Sequence, residues 1–519
     1  MSLTKSELTY GRIVCIIVSN GGGLTDNGVT GKETSRNYLT LRETIGYIMF
    51  DSSKTFNINH YASRYLLDVV KIDLFWQTVI SAINGIWDVV NDGFIGVIVD
   101  RTRTRWGKFR PYLIAFAIPG TIGTIFYWLT PMFFTDNPMQ MSKIIYWLVL
   151  AVLREGGGTF RSVAETGLLA TVTPNPNERM GVLSKSELFS SIYENIPEFL
   201  FTIFADLSNQ KKVAVSLRTV YMTLGISTTV VCAGLSLYCF FVTKERVMQS
   251  VEKPRIRDGL HTIISNRPLL IIMLSDFLGS FSLDTGMDNF YIDVLGSIFL
   301  KNIVTLPAAP MYYVSYTYLS WARRRFSTKA LWIFGQHLND VLLSAIFFIG
   351  SMGGKGPNGL YRKIPVIIPL LMAKEIMYKS VDSIKKIVPR DLFNEAMDYC
   401  EWKNGYRTEG MTLAAKNMIT KIVNNSKEAF KTVLLRQIGY DITAGYGGQS
   451  DKTKYMMFMM CTLVPSLTRL ASIIPKLFYN IDAKTRETMY SELADMRRLK
   501  ADNYTREELS SSEVGSLSD

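Results

Sequence analysis

Asn84–Pro111 reads NGIWDVVNDGFIGVIVDRTRTRWGKFRP. Two carboxylates, Asp88 and Asp92, sit in a run from Leu74 to Val99 that carries no other charge and is long enough to cross a bilayer. The run then stops in Arg101, Arg103, Arg105, Lys108 and Arg110. A carboxylate in mid-membrane costs roughly 2.5–3.5 kcal/mol on insertion scales, so it is rarely there without a partner or a task. On a helix, Asn84, Asp88, Asn91 and Asp92 fall on one face. Such a stripe of oxygens suits a hard cation, and the basic stop suits the cytoplasmic side of a membrane.

Outward from this stretch the chain repeats the pattern. Tyr112–Phe134 and Thr219–Thr243 are free of charge over bilayer length. The 519 residues are 48% hydrophobic, with a net charge of +12 that gathers in the connections between apolar segments. That is the positive-inside pattern, and it argues against a nucleic-acid partner. The five cysteines are scattered without a CxxC pair, and His60, His261 and His337 lie far apart, so neither type has metal-site spacing.

Spans are expected near 43–68, 72–99, 112–134, 144–172, 183–206 and 219–243, then 268–294, 300–320, 328–352, 364–388, 410–438 and 455–479. The chain therefore divides into an N-terminal extension (1–41), a six-helix bundle (42–243), a polar linker (244–267), a second six-helix bundle (268–480) and a tail (481–519). An even number of spans puts both termini on one side, which the basic loops identify as the cytoplasmic side of a multi-pass plasma-membrane protein. The basic loop Arg105–Leu113 after span two has an echo in Arg323–Leu331 after span eight, as a duplicated architecture would. The fold class is all-α and membrane-integral, with about twelve helices in two pseudo-symmetric bundles.

The motifs carry a resemblance. Gly96-x-x-x-Asp100-Arg101 followed by Gly107-Lys108 resembles the loop motif of the major facilitator superfamily. Trp87-Asp88-x-x-Asn91-Asp92-Gly93, then Thr102–Pro111, resembles the glycoside–pentoside–hexuronide:cation symporters, the melibiose permease family. Thr173-Pro174 with Glu178-Arg179, Asp398-Tyr399-x-Glu401-Trp402-Lys403-x-Gly405-x-Arg407-x-Glu409-Gly410 and a tail like Phe478–Arg498 extend the likeness over about residues 42–498.

This resemblance implies the major facilitator fold and a site for sodium or a proton on Asp88, Asn91, Asp92 and Thr159, with Asp88 and Asp92 the ligands if the ion is a metal. It implies a coupling lysine on span eleven at Lys421, and no cofactor beyond the coupling ion. Physics agrees, since two close carboxylates in low dielectric need a proton, a cation or a lysine. The family's sugar site is less well kept. Its span-four acid and aromatic fall on Ser162 and Thr166, and its span-one aspartate on Thr55 beside Lys54. Its span-five arginine falls near Glu187. Lys54, Thr55, Arg161, Ser162, Thr166 and Asn417 are the substrate-binding candidates.

Other charges point to a wet cavity: Arg154, Glu155, Arg161 and Glu165 on span four, Glu187, Glu194 and Glu198 on span five, and Asp276, Asp284 and Asp288 on span seven. Arg161 and Glu165, four apart, are placed to neutralise each other, leaving Lys54 free. Gly156-Gly157-Gly158 is expected to break span four and Pro197 to kink span five. The reading is a cation-coupled symporter of a glycoside, sugar acid or related polar solute, with the bilayer, a monovalent cation and a small solute as partners. A non-transporting receptor or scaffold, or a carrier of an amphiphilic solute, is the alternative. A membrane enzyme is not supported, because there is no HExxH or GxSxG element.

Overall fold

The computed structural model describes residues 38–102, 104–115, 117–173, 175–246, 266–404, 409–481 and 484–496. These are helical in the main, and they form no β-strand. Most of the expected extension and linker lies outside the described residues.

The first half runs through Leu41–Ser52 resuming at Ala62–Tyr65 and Leu66–Val70 (span one) and Leu74–Arg101 (two). Arg110–Ala115 with Ala117–Phe133 (three), Met141–Val172 (four), Pro176–Tyr193 with Asn195–Asn209 (five) and Leu217–Val242 (six) complete it. The second half runs through Arg267–Ser280 resuming at Met287–Asn289 and Phe290–Val294 (seven), Phe299–Thr305 with Ala309–Arg325 (eight) and Thr328–Gly350 (nine). Ile364–Ser380 (ten), Glu409–Gln437 (eleven) and Asp451–Leu470 with Ile473–Leu477 (twelve) follow. Arg110–Phe133, Leu217–Val242, Thr328–Gly350 and Asp451–Leu477 are long and apolar enough to cross a membrane by composition alone. Polarity is inverted relative to a water-soluble bundle. Phe241, Ile86 and Phe94 are 73%, 68% and 66% exposed, while Asp51, Arg64, Asp88, Asp340 and Lys476 are buried.

The expectations for spans four and ten change, while span five is interrupted beside Pro197 as expected. Span four is one unbroken helix through Gly156–Gly158. A methyl carbon at Gly157 or Gly158 would meet nothing within 4 Å, and both glycines line a cavity. They thin its wall instead of unwinding the helix. Span five breaks at Glu194, one turn before Pro197, whose ring cannot tolerate the helical carbonyl before it. Span ten ends at Ser380, short of 388, and a further helix, Asp382–Asn404, follows it.

The breaks in spans one and seven were not expected. In span one, Asn57 Nδ2 donates to Lys54 O (2.6 Å) and Asn57 Oδ1 accepts from Asn59 N (2.8 Å). In span seven, Asp284 accepts from Ser282 Oγ (2.7 Å) and from the N–H of Gly286 (3.1 Å), whose φ is +88°. In both, a short polar side chain offers the backbone an alternative to the helical ladder. Beyond its break, span one is anchored in an aromatic nest, with Tyr61 stacked on Phe201 at 4.2 Å and Tyr65 against Trp128 at 4.9 Å.

Besides the packing of span two on span eleven, a second set of links joins the halves at the end away from loop 102–109. Fully buried Arg64 donates to Asp68 (2.7 Å), Asp293 (2.5 Å), Asn289 (3.2 Å) and Tyr440 (3.1 Å). Lys301 bridges Glu198 (2.6 Å) and Asp288 (3.2 Å), and Asp206 accepts the N–H groups of Ile298 (3.0 Å) and Phe299 (3.1 Å) at the start of span eight.

Candidate functional site

The carboxylate stripe forms the seam between spans two, four and eleven. Asp88, buried on span two, accepts from Lys421 Nζ through Oδ1 (3.0 Å) and from Asn425 Nδ2 through Oδ2 (3.0 Å). One turn further, Asn91 Nδ2 donates to Thr159 Oγ1 (3.0 Å), and that hydroxyl donates to Glu155 O (3.2 Å). Trp87 Nε1 donates to Val152 O at 3.1 Å and fixes the register of spans two and four. Gly85 sits against Asn425, so close that a methyl carbon there would stand 2.9 Å from its side chain; small size lets span eleven reach Asp88.

Four of the five expected residues therefore come together: Asp88, Asn91, Thr159 and Lys421. Asp92 lies on the same helix, and its side chain falls outside the described residues. Two residues join that the sequence reading did not assign to this site. Glu155 meets Asp88 and is 3.5 Å from Asn84 Nδ2. Asn425 completes the cage around Asp88. Their signals were spacing: Glu155 is one turn before Thr159, and Asn425 one turn after Lys421.

Beside the cage is a cavity of about 500 Å³, walled by spans one, two, three, four, six and eleven. Arg154, Glu155, Arg161, Lys54 and Asn84 face it, with Tyr127, Trp128 and Trp147 as its aromatic wall. Arg154 lies 3.8 Å over the ring of Tyr127 and donates to Asn59 Oδ1 (3.4 Å). Arg161 Nη2 donates to Ser53 Oγ (2.5 Å), and its guanidinium lies 5.4 Å from the Phe50 ring centre. The buried Arg161 Nε and Asn84 Oδ1 make no hydrogen bond.

The expected charge pairing is reversed here. Glu165 does not neutralise Arg161; it takes Lys54 (2.7 Å), which also pairs with Asp51 (2.9 Å). Lys54 sits between two acids because span one brings it across to span four, a contact that spacing within span four cannot reveal. Thr55 is turned to the backbone, donating to Ser52 O (3.0 Å) and Ser190 O (3.3 Å). Ser162 and Asn417 are exposed and do not line the cavity, nor does exposed Glu187. The Thr166 side chain is outside the described residues. Glu198 and Asp288 serve the links between the halves instead of this cavity.

Comparison with known proteins agrees with the geometry. The inner membrane symporter YicJ of Escherichia coli (strain K12) is 23% identical over 483 residues, covering 91% of this chain and 98% of its own. The isoprimeverose transporter of Lactiplantibacillus pentosus is 23% identical over 486 residues, covering 88% of this chain and 92% of its own. The crystal structure of a bacterial homologue of the human lysosomal transporter Spinster superposes with a TM-score of 0.53 at 13% identity, over 90% of this chain and 99% of that one. A family profile described as MFS/sugar transport protein matches residues 44–483. A two-bundle membrane fold and a span-two carboxylate seam thus meet a match over most of the chain: it belongs to the MFS/sugar transport protein family, the glycoside–cation symporters of the major facilitator superfamily.

Proposed function

We propose that this sugar transporter is a cation-coupled symporter whose solute carries a negative charge, a sugar acid in preference to a neutral glycoside. The observation that carries the reading is the adjacency of two unlike sites on span four. Asp88, Asn91 and Thr159 offer oxygens to a monovalent cation, with Glu155 as a further carboxylate and Lys421 as the counter-charge that leaves when the ion binds. One to two turns away, Arg161 lines the cavity and carries a buried Nε donor that no described residue uses. A guanidinium grips a carboxylate through two parallel hydrogen bonds. With Lys54 held by Asp51 and Glu165, Arg161 and Arg154 become the anion-facing pair.

Transport would proceed by rocking of the two halves about this midplane site. Uptake into proteoliposomes tests the reading. A hexuronide should accumulate when a sodium or proton gradient is imposed and equilibrate without one, and a neutral galactoside should compete weakly. Equal, gradient-independent uptake of both would remove the coupling and the charge preference together.

A further inference from the structure

Away from the cation cage, the second half buries a chain of titratable groups between spans nine and twelve. Lys476 is 0% exposed, yet no carboxylate among the described residues touches its ammonium. Nζ donates to Gln336 Oε1 (2.5 Å), to His337 Nε2 (2.7 Å) and to Ser472 Oγ (3.3 Å). His337 is itself buried, and its Nδ1 meets Asp340 Oδ2 at 3.0 Å. Asp340 is 1% exposed and is paired through Oδ1 with Arg469 Nε (3.2 Å). Arg469 lies on the wall of a second cavity, of about 340 Å³, with Asp284, Asp288, Lys301, Lys374 and Glu375.

Hydrogen-bond arithmetic restricts the protons in this chain. An imidazole nitrogen accepts only while it carries no proton, and an ammonium has donors alone. With Nζ and Nε2 2.7 Å apart, two positive charges on Lys476 and His337 would repel each other in a buried site, and a protonated Nε2 would have to turn from Nζ to Ser472 Oγ, 3.2 Å away. One proton fits in either of two places: on Nζ, with His337 neutral and protonated at Nδ1 toward Asp340, or on Nε2, with Lys476 a neutral amine. Loss of that proton leaves a neutral amine donating to a neutral imidazole, and the hydrogen bonds survive. The charges balance differently, because Asp340 is already matched by Arg469. The next acid is Asp276 on span seven, and Lys416 of span eleven holds it at 2.9 Å. On the helix after span ten, Glu395 is held by Tyr479 and Arg486. The shared proton is therefore a buried charge with no carboxylate of its own among the described residues.

We propose that Lys476 and His337 form a second ion-binding site, specific for a single proton, in the half of the molecule opposite the cation cage. Its two states differ by one charge in the seam where span twelve packs on span nine, and so couple protonation to the fit of those helices.

The test uses the full chain in lipid nanodiscs labelled with nitrogen-15 histidine, which gives three imidazoles, with His337→Gln identifying the signals of His337. The expected spectrum shows His337 with Nδ1 protonated and Nε2 accepting, passing through a single one-proton transition. Lys476→Met should move the midpoint by about one pH unit or more, because it removes the competing base. Asp340→Asn, which withdraws the charge at Nδ1, should move it as well and provides a second variant if Lys476→Met does not fold. Asp88→Asn should leave the transition in place, so that a failed cation cage and a failed proton site are told apart. A His337 that titrates as a free imidazole and ignores both neighbours overturns the proposal. So does a spectrum with both imidazole nitrogens protonated while Lys476 remains an ammonium.

Discussion

The two halves share a plan and differ in how they treat their charges. Each begins with a span broken by a short polar side chain, Asn57 in span one and Asp284 in span seven, and each encloses a cavity, about 500 Å³ in the first half and 340 Å³ in the second. In the first, the buried Arg161 Nε and Asn84 Oδ1 have no hydrogen-bond partner among the described residues. In the second, the charges on the wall are ion-paired with one another, Arg469 with Asp340, Lys374 with Glu375 (2.7 Å) and Lys301 with Asp288, although Asp340 Oδ1 makes no hydrogen bond. A buried polar group left unmatched costs about 1–3 kcal/mol, so a site that keeps such groups waiting has a use for a ligand. On the reading proposed above, solute and cation belong to the first half and the stored proton to the second.

The largest effect should come from Asp88→Asn. It withdraws the charge that Lys421 and Asn425 surround, and gradient-driven accumulation should fall to the level of empty proteoliposomes while the protein remains inserted. Survival of coupled uptake would make the cage a fixed strut between spans two and eleven. Next is Arg64→Ala, which leaves Asp68 and Asp293 buried without their partner. Breaking a buried ion pair costs about 3–5 kcal/mol, so a clear fall in thermal midpoint is expected in detergent. An unchanged midpoint would mean that the carboxylates find other partners.

Arg161→Gln should raise the Kd for a hexuronide by about tenfold, the worth of one charge-assisted contact at 1.4 kcal/mol per decade, with little change for a neutral galactoside. Isothermal titration of both ligands checks this. Gly225→Ala should act at shorter range. A methyl carbon there would stand 2.4 Å from the Trp128 ring, and overpacking of this kind costs about 1–3 kcal/mol. The same variant should loosen solute binding by pressing Trp128 into the cavity. The smallest effect belongs to the second half: Asp284→Asn should leave coupled uptake within about twofold of the parent, as its carboxylate serves a turn. A loss as large as that of Asp88→Asn would erase the contrast between the halves.

Much of this was legible in the sequence. Asp88, Asn91, Thr159 and Lys421 were placed together because helical spacing and motif register fix them along their own spans. Span eleven was expected at 410–438 and runs Glu409–Gln437. What failed depended on contacts across spans. The partner of Glu165 comes from Lys54, 111 residues away, and spacing on one helix pointed to Arg161 instead. The glycine run was read as a break because glycine loosens helices, whereas a packed helix in a bilayer keeps its ladder and uses glycine for room. The breaks in spans one and seven left a faint trace, Asn57 and Asp284 with Gly286, which apolar length alone overrode.

The lock around Arg64 also bears on how readily the molecule can change shape. Were the end away from loop 102–109 sealed by leucines, opening it would expose apolar surface to water and the closed form would be a deep well. A seam of arginine, lysine and carboxylates behaves differently. As the halves part there, water enters and hydrates Arg64, Asp68, Asp293, Lys301 and Glu198, replacing the contacts they lose. On the rocking motion proposed above, such a seam would hold the closed and open forms nearer in energy than an apolar seal would, within reach of the differential affinity of a ligand.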